Sequence, residues 1–178
     1  GTNTGAGDTL HVVGGGTVVM GASVVHVEHV TLAVGTDFTA NDTANLSITG
    51  SGANDRVTLD AASQTVSAGN GDDTIVVTDD LLAAGLTLNG GGETVMDTLE
   101  VSTDASVVDA ALANVTNIEQ LTLTADAADD AQSVVLGAHA LSAGLLAVDA
   151  SGVGADDAVT IDATGFTGSL DLTTGAGN

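Results

Sequence analysis

The residues best suited to chemistry lie together between Ala68 and Val77, in the stretch AGNGDDTIVV. Gly69 and Gly71 frame Asn70, Asp72 and Asp73 follow, and an apolar β-branched run begins at Ile75. Glycine admits the left-handed backbone of a tight turn, and two adjacent carboxylates concentrate hard oxygen donors beside it. A cation that takes about six to eight oxygens in loose geometry is matched by such a turn, because main-chain carbonyls supply part of the shell. Asp and Asn also favour turns for a plainer reason, since their side chains hydrogen-bond the local backbone. The run from Ile75 to Val77 starts a strand, so these donors stand where a turn feeds a sheet.

The charge of the whole chain sharpens that reading. One basic residue, Arg56, faces 24 acidic ones, for a formal net charge of −23 over 178 residues. No basic patch exists to neutralise phosphates, which excludes nucleic acid as a partner, and attraction to anionic lipid fails for the same reason. Like charge at this density opposes compaction unless a cation intervenes, and dissolved calcium is the obvious one; an acidic, salt-adapted surface is the alternative. Cysteine is absent, so disulfides and thiolate metal sites are excluded. No apolar run approaches the roughly 18 residues of a membrane span, so membrane insertion is not expected. The first residues, GTNTGAGD, include neither an initiator Met nor a signal peptide, which reads as a piece of a longer secreted protein.

The elements that must hold the acidic turns are short. Apolar residues make up 43% of the chain, yet there are two Phe and no Trp or Tyr. A core of Val, Leu, Ile and Ala suits a thin interior, such as that of a stacked solenoid, better than a wide one that aromatics would fill. Strands are expected at TVVM (17–20), over the longer run 22–34, at LSIT (46–49), VTL (57–59) and QTVSA (64–68), and on both sides of the Gly turn in 86–101. Further strands follow at 118–124, 133–136 and 145–151, after the acidic turn within 152–163, and at 168–174, whereas 35–45 reads as a polar turn. TDDLLAAGL (78–86) predicts one helical turn capped by Thr78 and stopped at Gly85. SVVDAALANV (106–115) predicts a helix with Ser106 and Asp109 as a capping box. From Leu46 the strand centres recur roughly every 8 to 13 residues, a spacing that suits a β-solenoid or a β-sandwich. Recurring Gly-Asp turns, scarce aromatics and strands that read as apolar on both faces favour the parallel β-solenoid, a single elongated module over 1–178. The opening Thr4-Gly5-Ala6-Gly7 returns as Thr174-Gly175-Ala176-Gly177, as a module in a tandem array would show.

AGNGDDTIVV (68–77), TGAGDTLHV (4–12), NVTNIEQLTLT (114–124) and VTIDATGFTGSLDLTTGAGN (159–178) together resemble the RTX-type calcium-binding proteins, and more closely the surface-layer proteins and giant adhesins of Gram-negative bacteria that contain such repeats. Against the nonapeptide G-G-x-G-x-D-x-U-x, the residues Gly69, Gly71, Asp73 and Ile75 fall on consensus positions and Ala68 replaces the first glycine. The resemblance implies calcium held by Asp73 with the carbonyls of Gly69 and Gly71, aided by Asn70 and Asp72. Asp8, Asn54, Asp55 and Asp97 form a second rank, and the pairs Asp129–Asp130 and Asp156–Asp157 a third. It implies type I secretion, an extracellular position at the cell surface, folding on contact with calcium, and association with copies of the same chain and with cell-surface polysaccharide. A strong array has several consecutive perfect nonapeptides, whereas those here are scattered and degenerate.

Other chemistries find less support. In an extended strand His26 and Glu28 share one face and His29 takes the other, which separates them as metal ligands. No G-x-S-x-G elbow and no lysine base are present. Paired carboxylates serve glycoside hydrolysis, but there is no Trp or Tyr for sugar to stack on, so catalysis is not expected. Asn41, Asn45 and Asn114 begin N-x-S/T triplets that turn propensity explains. The reading that emerges is a calcium-stabilised structural module that assembles into a surface layer or fibre. The alternatives are a repeat domain of a secreted adhesin and the non-catalytic RTX part of a secreted hydrolase.

Overall fold

A computed structural model describes residues 7–42, 45–102, 106–124, 131–154 and 158–175. The chain winds as a parallel β-solenoid. Its first coils each contribute two strands: β1 (Thr9–Val12) and β2 (Gly16–Val19), β3 (His29–Leu32) and β4 (Thr36–Thr39), β5 (Ser47–Thr49) and β6 (Arg56–Thr58), β7 (Thr65–Asn70) and β8 (Thr74–Thr78). Helix α1 (Asp79–Ala83) then precedes β9 (Thr87–Gly92) and β10 (Thr98–Ser102). From there the coils gain a third side. β11 (Ser106–Val107), a 3-10 turn (Asp109–Leu112), β12 (Val115–Thr116) and β13 (Gln120–Thr124) follow, then β14 (Gln132–Val135), α2 (Ala138–Ala143) and β15 (Ala147–Gly152), and finally β16 (Val159–Asp162) and β17 (Asp171–Thr174).

Strands of equivalent position stack into a six-stranded sheet (β1-β3-β5-β7-β9-β12), an eight-stranded sheet (β2-β4-β6-β8-β10-β13-β15-β17) and a three-stranded sheet (β11-β14-β16). Every recorded pairing is parallel and joins one coil to the next, as between β8 and β10 or β7 and β9. A sandwich of antiparallel strands is therefore excluded. Register is held by columns of apolar side chains that face inward. In the eight-stranded sheet one column runs Val18, Phe38, Val57, Ile75, Leu99, Leu121, Val148 and Leu172. In the six-stranded sheet another runs Leu10, Val30, Ile48, Val66, Leu88 and Val115. Slipping one strand by a residue would turn its whole set outward, so the columns fix the stacking.

Three readings of the sequence give way to the coil. The segment 22–34 is not one strand, since only His29–Leu32 is extended and His26 sits in a turn with φ of 63°. The polar stretch 35–45 contains β4, whose Phe38 is fully buried. Nor are the strands covered on both faces. In β8, Ile75 and Val77 are buried while Thr74 and Val76 lie half-exposed on the outer face. On that outer face Arg56 reaches across the coil of β8 to Glu100, with two hydrogen bonds of 2.8 and 2.9 Å.

Candidate cation-binding corner

The acidic turns lie where the chain passes from the six-stranded to the eight-stranded sheet. Just before β6, β8 and β10, and at the first residue of β4, an amide faces the next coil, where a carboxylate takes the place of a main-chain acceptor. The amide of Thr36 donates to Asp55 Oδ1 at 2.7 Å, and that of Asp55 to Asp73 Oδ1 at 2.7 Å. The amide of Asp73 donates to Asp97 Oδ1 at 2.8 Å, and that of Asp97 to Glu119 Oε2 at 2.8 Å. Asp55 and Asp73 stand 18 residues apart, twice a nine-residue period, whereas Asp73 and Asp97 stand 24 apart. The result is a column of carboxylates, one per coil, each bound to the amide of the coil before it. Hydrogen bonds to ionised acceptors are about twice as strong as neutral ones, so the column laces coils together as well as satisfying corner amides.

Glycine makes the corner narrow enough for this. Gly69 and Gly71 have φ of 115° and 119°, a region L side chains rarely adopt. A methyl group at Gly69 would also collide with the carbonyl oxygen of Ser51 in the preceding coil.

Burial has a cost that shows in the titration of the column. Asp73 is 2% exposed and Asp97 fully buried. Loss of water pushes the Asp73 carboxyl up to about 6, against the hydrogen bond from Asp55, and the charges of Asp97, Asp55 and Asp72 add to the rise. Asp97 is likewise pushed up to about 6, by burial first and then by Glu119, Glu93 and Asp72, against the hydrogen bond from Asp73. In both residues Oδ1 is bonded and Oδ2 is buried with no hydrogen-bond partner. A buried anionic oxygen left so is costly; a proton or a cation would satisfy it.

The residues singled out in the sequence divide among several places. Asp55, Asp73 and Asp97 meet in the column, and Asp55 has both oxygens bonded, Oδ2 accepting from the Ser51 amide at 2.7 Å. Gly69 and Asn70 end strand β7, paired with Gly91 and Gly92, so the turn proper begins at Gly71. Asp72 points away from its neighbour Asp73: its Oδ1 accepts from the amides of Thr94 and Val95 at 2.9 and 2.6 Å. Asn54 is exposed and takes the Asp72 amide at 3.1 Å. Asp8 precedes a strand of the six-stranded sheet instead, at a different corner, where its amide donates to Glu28 at 2.7 Å. Asp129, Asp130, Asp156, Asp157 and most of the repeated terminal motif lie outside the described residues.

Sequence reasoning missed Glu119 and Glu93. Glu119 stands immediately before QLTLT as Asp73 stands before TIVVT and Asp97 before TLEVS, a register that marks it as a column member. Among the described residues, Glu93, Asp97 and Glu119 form the triad able to hold a metal ion, each with one oxygen within 4.8 Å of the others. Comparison with known protein families, with curated proteins and with solved structures finds no match to this chain.

Proposed function

We propose that the chain is a structural module of an extracellular bacterial assembly, a β-solenoid rod whose acidic corner is neutralised by calcium. The observation that carries this reading is the pair of buried, unpartnered oxygens on Asp73 and Asp97, in a chain of net charge −23 that owns a single arginine. Internal cations to balance the column are lacking, so the counter-charge comes from solution. Extracellular calcium modules work at about 10⁻⁴ to 10⁻³ M, and binding in that range would leave the module loose inside a cell. The resemblance to RTX-type surface proteins points the same way.

Self-association is the second part of the proposal. Among the described residues, strand β17 is the last of the eight-stranded sheet, and its Leu172, the last member of the apolar column there, is 52% exposed. Further coils, of a second copy or of a parent chain, would continue both the ladder and the column. No catalytic role is proposed.

Circular dichroism of the purified chain through a calcium titration, with EGTA reversal, tests the first part. A melting temperature that rises with millimolar calcium and falls back on chelation is the expected outcome; an unchanged melt in both conditions overturns it. Electron microscopy with and without calcium tests the second: calcium-dependent filaments or sheets are expected, and monomers throughout would refute assembly.

A further inference from the structure

Resting on that reading, we propose that Glu93, Asp97 and Glu119 form a discrete calcium site that pins the coil of β9 and β10 to the coil of β12 and β13. One oxygen from each residue lies within 4.8 Å of the other two. Two oxygens sharing a calcium ion at about 2.3–2.6 Å are separated by at most about 4.6–5.2 Å, so the triad closes on calcium with little movement. Magnesium, which demands near-octahedral geometry at about 2.0–2.1 Å and sheds water reluctantly, is served less well by three side chains from two coils.

Acidic clusters are common on a surface this negative, and proximity alone would mean little. The centre of this one is different. Asp97 is fully buried, its Oδ1 is committed to the amide of Asp73, and its Oδ2 has no partner. The backbone packs closely here: a methyl group at Gly90 would collide with the carbonyl oxygen of Asn117 and stand 2.6 Å from Asp97 Oδ2, so glycine at 90 is what lets a main-chain oxygen and this carboxylate approach the same point. Asn117 holds φ of 52°, which aims this short corner, and its side-chain amide is anchored to Asn89 Oδ1 at 2.8 Å. Glu93 is exposed and gives the ion a route from solvent.

The site also falls where a clamp is needed. The coils up to β9 and β10 have two strands, and those after gain the third sheet through β11. The step between equivalent corner residues there is 22, from Asp97 to Glu119. A cation held by both coils fixes their register at the change of cross-section.

Isothermal titration of the full chain with calcium chloride, after dialysis against chelator, tests the assignment. Glu93→Gln and Glu119→Gln are expected to weaken one binding step by about tenfold or more each, while Glu28→Gln, which removes the same charge at the other corner, leaves it unchanged. Glu93 is exposed, so its variant folds as the wild type does. A step weakened no more by Glu93→Gln and Glu119→Gln than by Glu28→Gln overturns the site, as does a wild type with no binding step. Calcium that still raises the melting temperature while this step is insensitive to the variants would remove the site and leave the functional reading standing. A step lost in both variants, in a wild type whose melt ignores calcium, would keep the site and remove that reading.

Discussion

Asp73 illustrates how one side chain serves both structure and chemistry. Its Oδ1 takes the amide of Asp55, and its Oδ2 is left for whatever solution provides. Asp73→Ala strands the Asp55 amide in a buried corner, and we expect a loss of about 1–3 kcal/mol in denaturant unfolding. The titration of the column sets an unusual pH dependence for the metal-free protein. Asp73 and Asp97 are raised to about 6 in the folded chain, above the carboxylate value of the unfolded one. The folded state therefore binds more protons, and stability falls as pH rises from about 4 through 6. In EGTA the melting temperature is expected to rise as pH is lowered from 7 to 5, opposite to ordinary acid denaturation; a fall over that window would refute the burial of these carboxyls. Arg56 makes the contrary case. Its two hydrogen bonds to Glu100 are well formed, but the side chain is 41% exposed. Exposed pairs contribute about 0–1 kcal/mol, and Arg56→Gln is expected to shift the midpoint little.

At the scale of elements, the helices show what neighbouring residues reveal and what they hide. TDDLLAAGL is capped locally: Thr78 Oγ1 accepts from the Leu81 amide at 3.3 Å, and Gly85 follows the end with φ of 89°. Every signal for α1 is in its own stretch, and the sequence reveals it. The supposed helix at 106–115 is a 3-10 turn after a short strand, and Ser106 is no cap. Asp109 turns instead to the next coil, where its carboxylate accepts from the amides of Gly137, His139 and Ala140 and meets His139 Nδ1 at 2.9 Å. Helix α2 was invisible for the complementary reason, because its cap lies 28 residues earlier. Likewise Thr36-Asp37-Phe38-Thr39 looks like a turn until stacked coils demand an apolar side chain at 38. Asp109→Ala is expected to cost about 1–2 kcal/mol and to speed hydrogen exchange at the amides of 137–140 over those of α1. The four contacts also hold the Asp109 carboxyl below its ordinary range, against the effect of burial. This contribution is present above the unfolded value and lost as pH falls through the depressed one.

Across the whole molecule, stability is a sum over coils and the contacts between them. Ile75 is fully buried in the middle of the long apolar column, and Ile75→Ala is expected to cost about 2–5 kcal/mol in guanidinium unfolding. The solenoid itself was legible in recurring Gly-Asp turns and scarce aromatics, because coil stacking is a periodic demand and leaves a periodic trace. The third sheet was not, since it is assembled from the least regular segments. Eight strands at about 4.8 Å spacing give the long sheet an extent of about 34 Å. The two edges of this rod differ. Between β7 and β8 the backbone is crowded by stacked glycines and tied by carboxylates, whereas the return from the eight-stranded sheet accommodates a loop at 20–28, a helix at α1 and a whole additional sheet further on. Foreign peptides are accordingly expected to be better tolerated on the flank that returns from the eight-stranded sheet than at the tight corner between β7 and β8. An epitope grafted at 22–25 is expected to be displayed with the melt intact, and the same graft between Gly71 and Asp72 to abolish folding, which makes the rod a scaffold with a built-in direction for presenting cargo.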